Sequence, residues 1–125
     1  MNEFFDFEED SGKSDMYDVE FCSIDEMVNN VALYKGMKDF PTENGLRKLI
    51  AVDMPNGTPS AFLTSSKKVI EQVEGMKKRV PFRALMKCVS YGSAFIGFRL
   101  FPPSVEVTDD DRRLFQQYKK TKFKR

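Results

Sequence analysis

The stretch "RALMKCVSYGSAFIGFRL" at residues 83–100 alternates apolar side chains with others at a period of two. That is the period of a β-strand, whose successive side chains point to opposite faces. A turn near Tyr91 and Gly92 makes the stretch a hairpin. Phe82, Ala84, Met86, Cys88, Ala94, Ile96, Phe98 and Leu100 then share a face that reads as core. The opposite face collects Arg83, Lys87, Tyr91, Phe95 and Arg99, a mixture of cations and aromatic rings.

Upstream, "VALYKGMKDF" and "LRKLIAVDM" read as two further strands joined by the turn "PTENG", where Gly45 supplies a positive φ. The Asn-Gly of "PNGT" turns the chain again into "SAFLT". The period then changes. Ser65 or Ser66 caps a helix over residues 65–74 with Val69, Ile70 and Val73 on one side, and Gly75 ends it. A basic loop of Lys77, Lys78 and Arg79 leads to Pro81 and the hairpin. Pro102 and Pro103 take the chain out of the sheet. Thr108 and three aspartates, Asp109, Asp110 and Asp111, start a C-terminal helix over residues 109–120, with Lys119 and Lys120 at its favourable end and a basic tip beyond. Before all of these, residues 18–24 read as a short strand. Ser23 with Glu26 forms a capping box that opens a helical turn over residues 25–30.

The order is strand, strand, strand, helix, strand, strand. It predicts a mainly β fold, a five-stranded OB-like barrel with a helix between strands 3 and 4 and a C-terminal helix. Residues 1–16 are expected to be an acidic flexible tail, 17–105 the barrel, and 106–125 the C-terminal helix and tip. The segments "KGMKDFPTENGLRKLIAV", "AFLTSSKKVIEQVE" and "VPFRALMKCVSYGSAFIGFRL" resemble the OB-fold single-stranded-DNA-binding proteins of phages and mobile elements. Those proteins share a turn before a Lys-rich second strand, a Ser-started helix after the third, and a "PF" entry into the last hairpin. The resemblance implies single-stranded DNA binding with little sequence preference, in phage or plasmid DNA replication or recombination. It implies replication or recombination proteins as partners. RNA offers the same chemistry as DNA, and self-association is left open. The acidic segment departs from the pattern: many bacterial single-strand binders carry it at the C-terminus, whereas here the C-terminus is basic.

A groove for single strands needs cations along the phosphates and flat rings on which bases stack. Arg83, Lys87 and Arg99 are candidates for the first role, with Arg47 or Lys48 extending the groove. Tyr91 and Phe95 are candidates for the second, with Phe40 in the preceding turn as another. The competing reading packs Tyr91 and Phe95 beneath the C-terminal helix against Leu114, Phe115 and Tyr118.

Charge is divided unevenly along 125 residues of net charge +1. Residues 1–30 carry ten acids and one base, a net of −9, and residues 31–125 carry nine acids and nineteen bases, a net of +10. Such a basic domain calls for a polyanionic partner. The acidic segment contains Phe4, Phe5 and Phe7, candidate partner-binding residues. They support an alternative function, a protein-interaction or inhibitory module that mimics nucleic acid or docks on a basic partner.

Other motifs carry less. "SGKS" at residues 11–14 lacks the first glycine of a phosphate loop, since Phe7 stands there. Asn56-Gly57-Thr58 is explained by a turn. With no histidine and only Cys22 and Cys88, both expected to be buried, neither zinc nor nucleophilic catalysis has evident residues. No cofactor and no metal are expected; the three aspartates could attract a divalent ion, but helix capping uses part of the cluster and adjacent helical positions point apart. No apolar run is long enough for a membrane span, and the first residues lack the features of a secretory signal, so a cytoplasmic protein is expected.

Overall fold

The alternating segments form five antiparallel strands: β1 (Val31–Thr42), β2 (Gly45–Asp53), β3 (Pro59–Thr64), β4 (Phe82–Tyr91) and β5 (Phe95–Phe101). Helix α1 (Lys67–Gly75) stands between β3 and β4, and helix α2 (Asp109–Phe123) follows β5. The computed structural model describes residues 16–92 and 95–123. The strand order is β3-β2-β1-β4-β5, an OB-like barrel curled into a half-barrel and open between its two edge strands, β3 and β5.

Alternate residues of the strands face inward, and beyond the bulge at Tyr34/Gly36 the parity of β1 changes so that Met37 packs against the core. Ala32, Tyr34, Ile50, Val52, Phe62, Ala84, Met86, Cys88 and Leu100 form one buried cluster, joined by Val69 and Val73 of α1. This is the face predicted from the hairpin; Ala94 alone lies outside the described residues. Tyr34 is the hub, stacked on Phe82 at 5.4 Å and edge-on to Phe62 at 6.4 Å. A bulge between Tyr34 and Gly36 lets β1 serve both sides, pairing with β4 over its first four residues and with β2 along its length.

The structure corrects several boundaries. The residue 18–24 strand shrinks to one parallel bridge, Phe21 to Ala61, because the capping box of Ser23 and Glu26 turns the chain immediately afterwards into a 3-10 turn, Ile24–Met27. β1 runs through Pro41 and Thr42, leaving a two-residue turn before Gly45, whose φ is +122°. Proline fits there because β1 has lost its β4 neighbour beyond Tyr34 and is an edge. Lys77–Arg79 is a 3-10 turn where a loop was expected, and Cys22 is half-buried while Cys88 is buried. Ser66 caps α1, accepting from the Val69 N–H at 3.4 Å.

Helix α1 spans the mouth of the open barrel and is tied to it by one side chain. The Gln72 carboxamide donates to the Leu100 carbonyl at 3.0 Å and accepts from the Leu100 N–H at 2.8 Å. It therefore occupies the position a neighbouring strand would take on the edge of β5. Helix α2 is fixed differently. Thr108 and Asp111 cap it reciprocally, at 2.8 and 3.1 Å, and Asp111 also pairs with Lys87 of β4 at 2.6 Å. Lys87 further donates to the Glu106 carbonyl at 2.7 Å. The other two aspartates pair within the helix, Asp109 with Arg112 and Asp110 with Arg113, so the expected cap holds and all three carboxylates are engaged by the chain.

Replacing Gln72 with Ala leaves the nearly buried Leu100 N–H and C=O without partners. The expected loss is about 2 kcal/mol of unfolding free energy, read from urea denaturation; a change below about 0.5 kcal/mol would contradict the bridging role.

Burial raises the Asp111 carboxyl, but the hydrogen bonds from Lys87 and from Thr108 outweigh it and hold the group below the usual aspartate range. A depressed folded-state pKa means the stabilisation is complete above the unfolded value of about 4 and is lost as pH falls through the folded value. Wild type and Asp111→Asn should therefore differ in urea midpoint at pH 7 and converge as the pH falls below the usual aspartate range. A pH-independent difference would remove the ionic link.

Candidate nucleic-acid interface

The opening between β3 and β5 is a cleft of about 1090 Å³. Leu63 and Thr64 at the end of β3 form one wall, and Tyr91, Phe95, Ile96, Gly97 and Phe98 of the final hairpin form the other. Ser65, Ser66, Lys67, Lys68 and Glu71 close it at the start of α1. Arg47 reaches it from β2, Ile24 from the N-terminal turn and Tyr118 from α2.

The rings stand out against the burial pattern. Phe95 is 63% exposed and Tyr91 42%, although both are large and apolar. They are direct cross-strand partners on the outer face at the hairpin tip, with centroids 6.0 Å apart and planes tilted by 35°. Gly97 explains how they lie. A Cβ at this position would sit 2.8 Å from the Tyr91 ring and 3.3 Å from the Phe95 ring. The bare backbone is therefore the bed on which both rings rest, and it is buried by them. Helix α2 does not cover this pair; its Tyr118 packs edge-on against Phe98 at 5.2 Å.

Arg47, Lys67 and Lys68 line the same cleft as the rings, and among the described residues none of the three has a carboxylate at ion-pair distance. Glu71 is the acid in the lining. The cleft thus presents cations around two flat rings and an apolar floor.

Three of the residues singled out from sequence meet here: Arg47, Tyr91 and Phe95. The others do not. Lys87 is 8% exposed and held by Asp111 and the Glu106 carbonyl, which corrects its assignment to an open groove. The alternation placed it on the outer face correctly, but that part of the face is covered by the segment leading into α2. Arg83 and Arg99 are exposed on the outer face away from the cleft, and Arg99 lies 5.6 Å from the Phe101 ring. Lys48 pairs with Asp39, and Phe40 packs edge-on to Phe21 at 5.9 Å. Phe4, Phe5 and Phe7 lie outside the described residues.

Sequence reasoning missed Lys67, Lys68 and Gly97. The two lysines were visible directly after the capping serines, but nothing local shows that this helix start faces a hairpin some thirty residues later. The burial of Cys88 pushes its thiol up to about 12, and burial also raises Cys22. Among the described residues no three His, Cys, Asp or Glu side chains gather as a metal site, and no helix is long and apolar enough to cross a membrane.

Residues 18–101, which contain all five strands and α1, match a family model described as a domain of unknown function. No curated protein and no solved structure matches the chain.

Gly97→Ala tests the bed beneath the rings. The added methyl must displace Tyr91 and Phe95, so near-ultraviolet circular dichroism should change while far-ultraviolet ellipticity stays as in the wild type. An unaltered near-ultraviolet spectrum would mean that the rings do not rest on this glycine.

Proposed function

We infer that the chain, which belongs to the DUF8468 family, binds single-stranded nucleic acid in the cleft between β3 and β5. The expected ligand is single-stranded DNA, in phage or plasmid replication or recombination. The observation that carries this reading is the exposed Tyr91–Phe95 pair set beside three cations without carboxylate partners among the described residues. Base stacking on such rings contributes roughly 1 to 3 kcal/mol per base and tolerates any sequence, because every base has a π-face. Arg47, Lys67 and Lys68 supply charge for the phosphates that flank the stacked bases.

The location supports the same reading. OB-folds bind oligonucleotides on the face of strands 2 and 3 and with the loops joining strands 1 to 2 and 4 to 5. Here Arg47 stands two residues after the β1–β2 turn, Leu63 and Thr64 end β3, and Tyr91 and Phe95 flank the β4–β5 turn. The rings that the competing reading would bury beneath α2 are exposed, and Phe98 takes that packing position.

Fluorescence anisotropy with labelled oligo-dT, duplex DNA and RNA tests the reading. Single strands should bind in a salt-sensitive manner. Arg47→Ala with Lys67→Ala and Lys68→Ala should reduce the log–log salt slope by about 2, since each phosphate contact on a single strand contributes about 0.7. Tyr91→Ala with Phe95→Ala should weaken binding about 100-fold and leave the slope unchanged. Arg83→Ala with Arg99→Ala, away from the cleft, should alter neither by as much. Absence of binding, or equal slopes for all three variants, would refute the assignment.

A further inference from the structure

The free edge of β5 is a template for another strand. Leu100 points its N–H and C=O away from β4 and into Gln72. The β4–β5 register is unbroken from Tyr91 to Phe101, so the same outward orientation falls on Phe98 and Ile96, two and four residues earlier. Both residues line the cleft, and among the described residues no further strand pairs with β5 there. Such an exposed row of backbone groups favours pairing with an extended segment.

We propose that residues 4–8, Phe-Phe-Asp-Phe-Glu, add to this edge as a sixth strand. Strand alternation puts Phe5 and Phe7 on one face of that segment and Asp6 and Glu8 on the other. The phenylalanines match the apolar wall of Leu63, Ile96 and Phe98, and the carboxylates match Arg47, Lys67 and Lys68.

The chain can reach. Met16 and Tyr17 lie against Gly36, where a Cβ would fall 2.9 Å from the Met16 sulfur and from the Tyr17 hydroxyl. Tyr17 and Gly36 share a small cavity with Val73, Glu74 and Lys77, so the described chain begins beside the C-terminal end of α1. The cleft lies at the other end of the helix, about 14 Å away for nine residues. The eight residues from Glu8 to Met16 span up to about 27 Å when extended. Because the segment takes the cleft assigned above to nucleic acid, the two occupants exclude each other, although the pairing does not rest on the nucleic-acid reading.

Amide hydrogen exchange followed by NMR on the full chain decides the matter without nucleic acid present, so it stands or falls apart from the binding reading. In wild type the Ile96 and Phe98 amides should exchange at least tenfold more slowly than in a Phe5→Ser, Phe7→Ser variant that keeps every acid. Leu100, held by Gln72, should exchange equally in both and reports that the variant is folded. The protection should survive 100-fold dilution of the protein. Equal exchange at Ile96 and Phe98 in the two proteins would overturn the proposal. Protection lost on dilution would overturn it too, by assigning the edge to a second copy of the chain.

Discussion

The two edge strands, β3 and β5, do not bond to each other, and the fold is organised around how that gap is managed. A half-barrel with two free edges leaves backbone polar groups beside a hydrophobic interior. Helix α1 lies across the mouth, with Val69 and Val73 filling the interior and Gln72 bonding Leu100 as a strand would. On the other edge, Cys22 donates to the Ala61 carbonyl at 2.8 Å, and Ser60 bonds the Glu20 carbonyl at 2.9 Å. Each edge is thus satisfied at one end. What remains open, from Leu63 across to Ile96 and Phe98, is the cleft.

The same economy governs the cations. Lys87 arises from the alternation as an outward-facing residue, yet the segment before α2 folds over it and supplies Asp111 and the Glu106 carbonyl. Lys35 and Lys48 are paired across the sheet with Asp53 and Asp39. Arg112 and Arg113 are neutralised within α2. Pairing leaves the net charge of the domain unchanged and places its excess on the unpaired cations, of which Arg47, Lys67 and Lys68 line the seam. Net charge is a property of the whole chain, whereas the structure shows which cations are left without a carboxylate among the described residues.

Legibility in the sequence followed the range of the determining interactions. The five strands, both helices, the Ser23–Glu26 and Thr108–Asp111 caps and the inward face of the hairpin rest on alternation, turns and caps that act within a few residues, and each was readable. The residue 18–24 strand failed because its β-propensity had no neighbour beyond one bridge to Ala61. Locally Pro41 reads as a turn residue, because its place on an edge free of β4 depends on where β4 stops pairing with β1. For the site, parity placed Tyr91 and Phe95 together, and the same parity included Lys87, Arg83 and Arg99, since a face is not a site. Separating them required knowing where α2 lies and which end of the hairpin meets α1, contacts made across more than twenty residues.

The exposed rings are the point at which folding and the proposed binding diverge. Fully burying a phenylalanine side chain contributes about 1.5 to 3 kcal/mol, and Phe95, at 63% exposure, forgoes much of it. Packing alternatives stand nearby: Phe98, three residues on, takes the contact with Tyr118 and lies against the core. Gly97 between them is costly in a strand, where it loses more entropy than other residues on folding and has no side chain to pack. A strand that places a glycine between a partly buried phenylalanine and an exposed one is thus unfavourable twice over for stability alone. It becomes favourable when something flat completes the stack that Tyr91 and Phe95 begin. Departures from local consistency of this kind concentrate at functional sites, and this one lies in the cleft between β3 and β5.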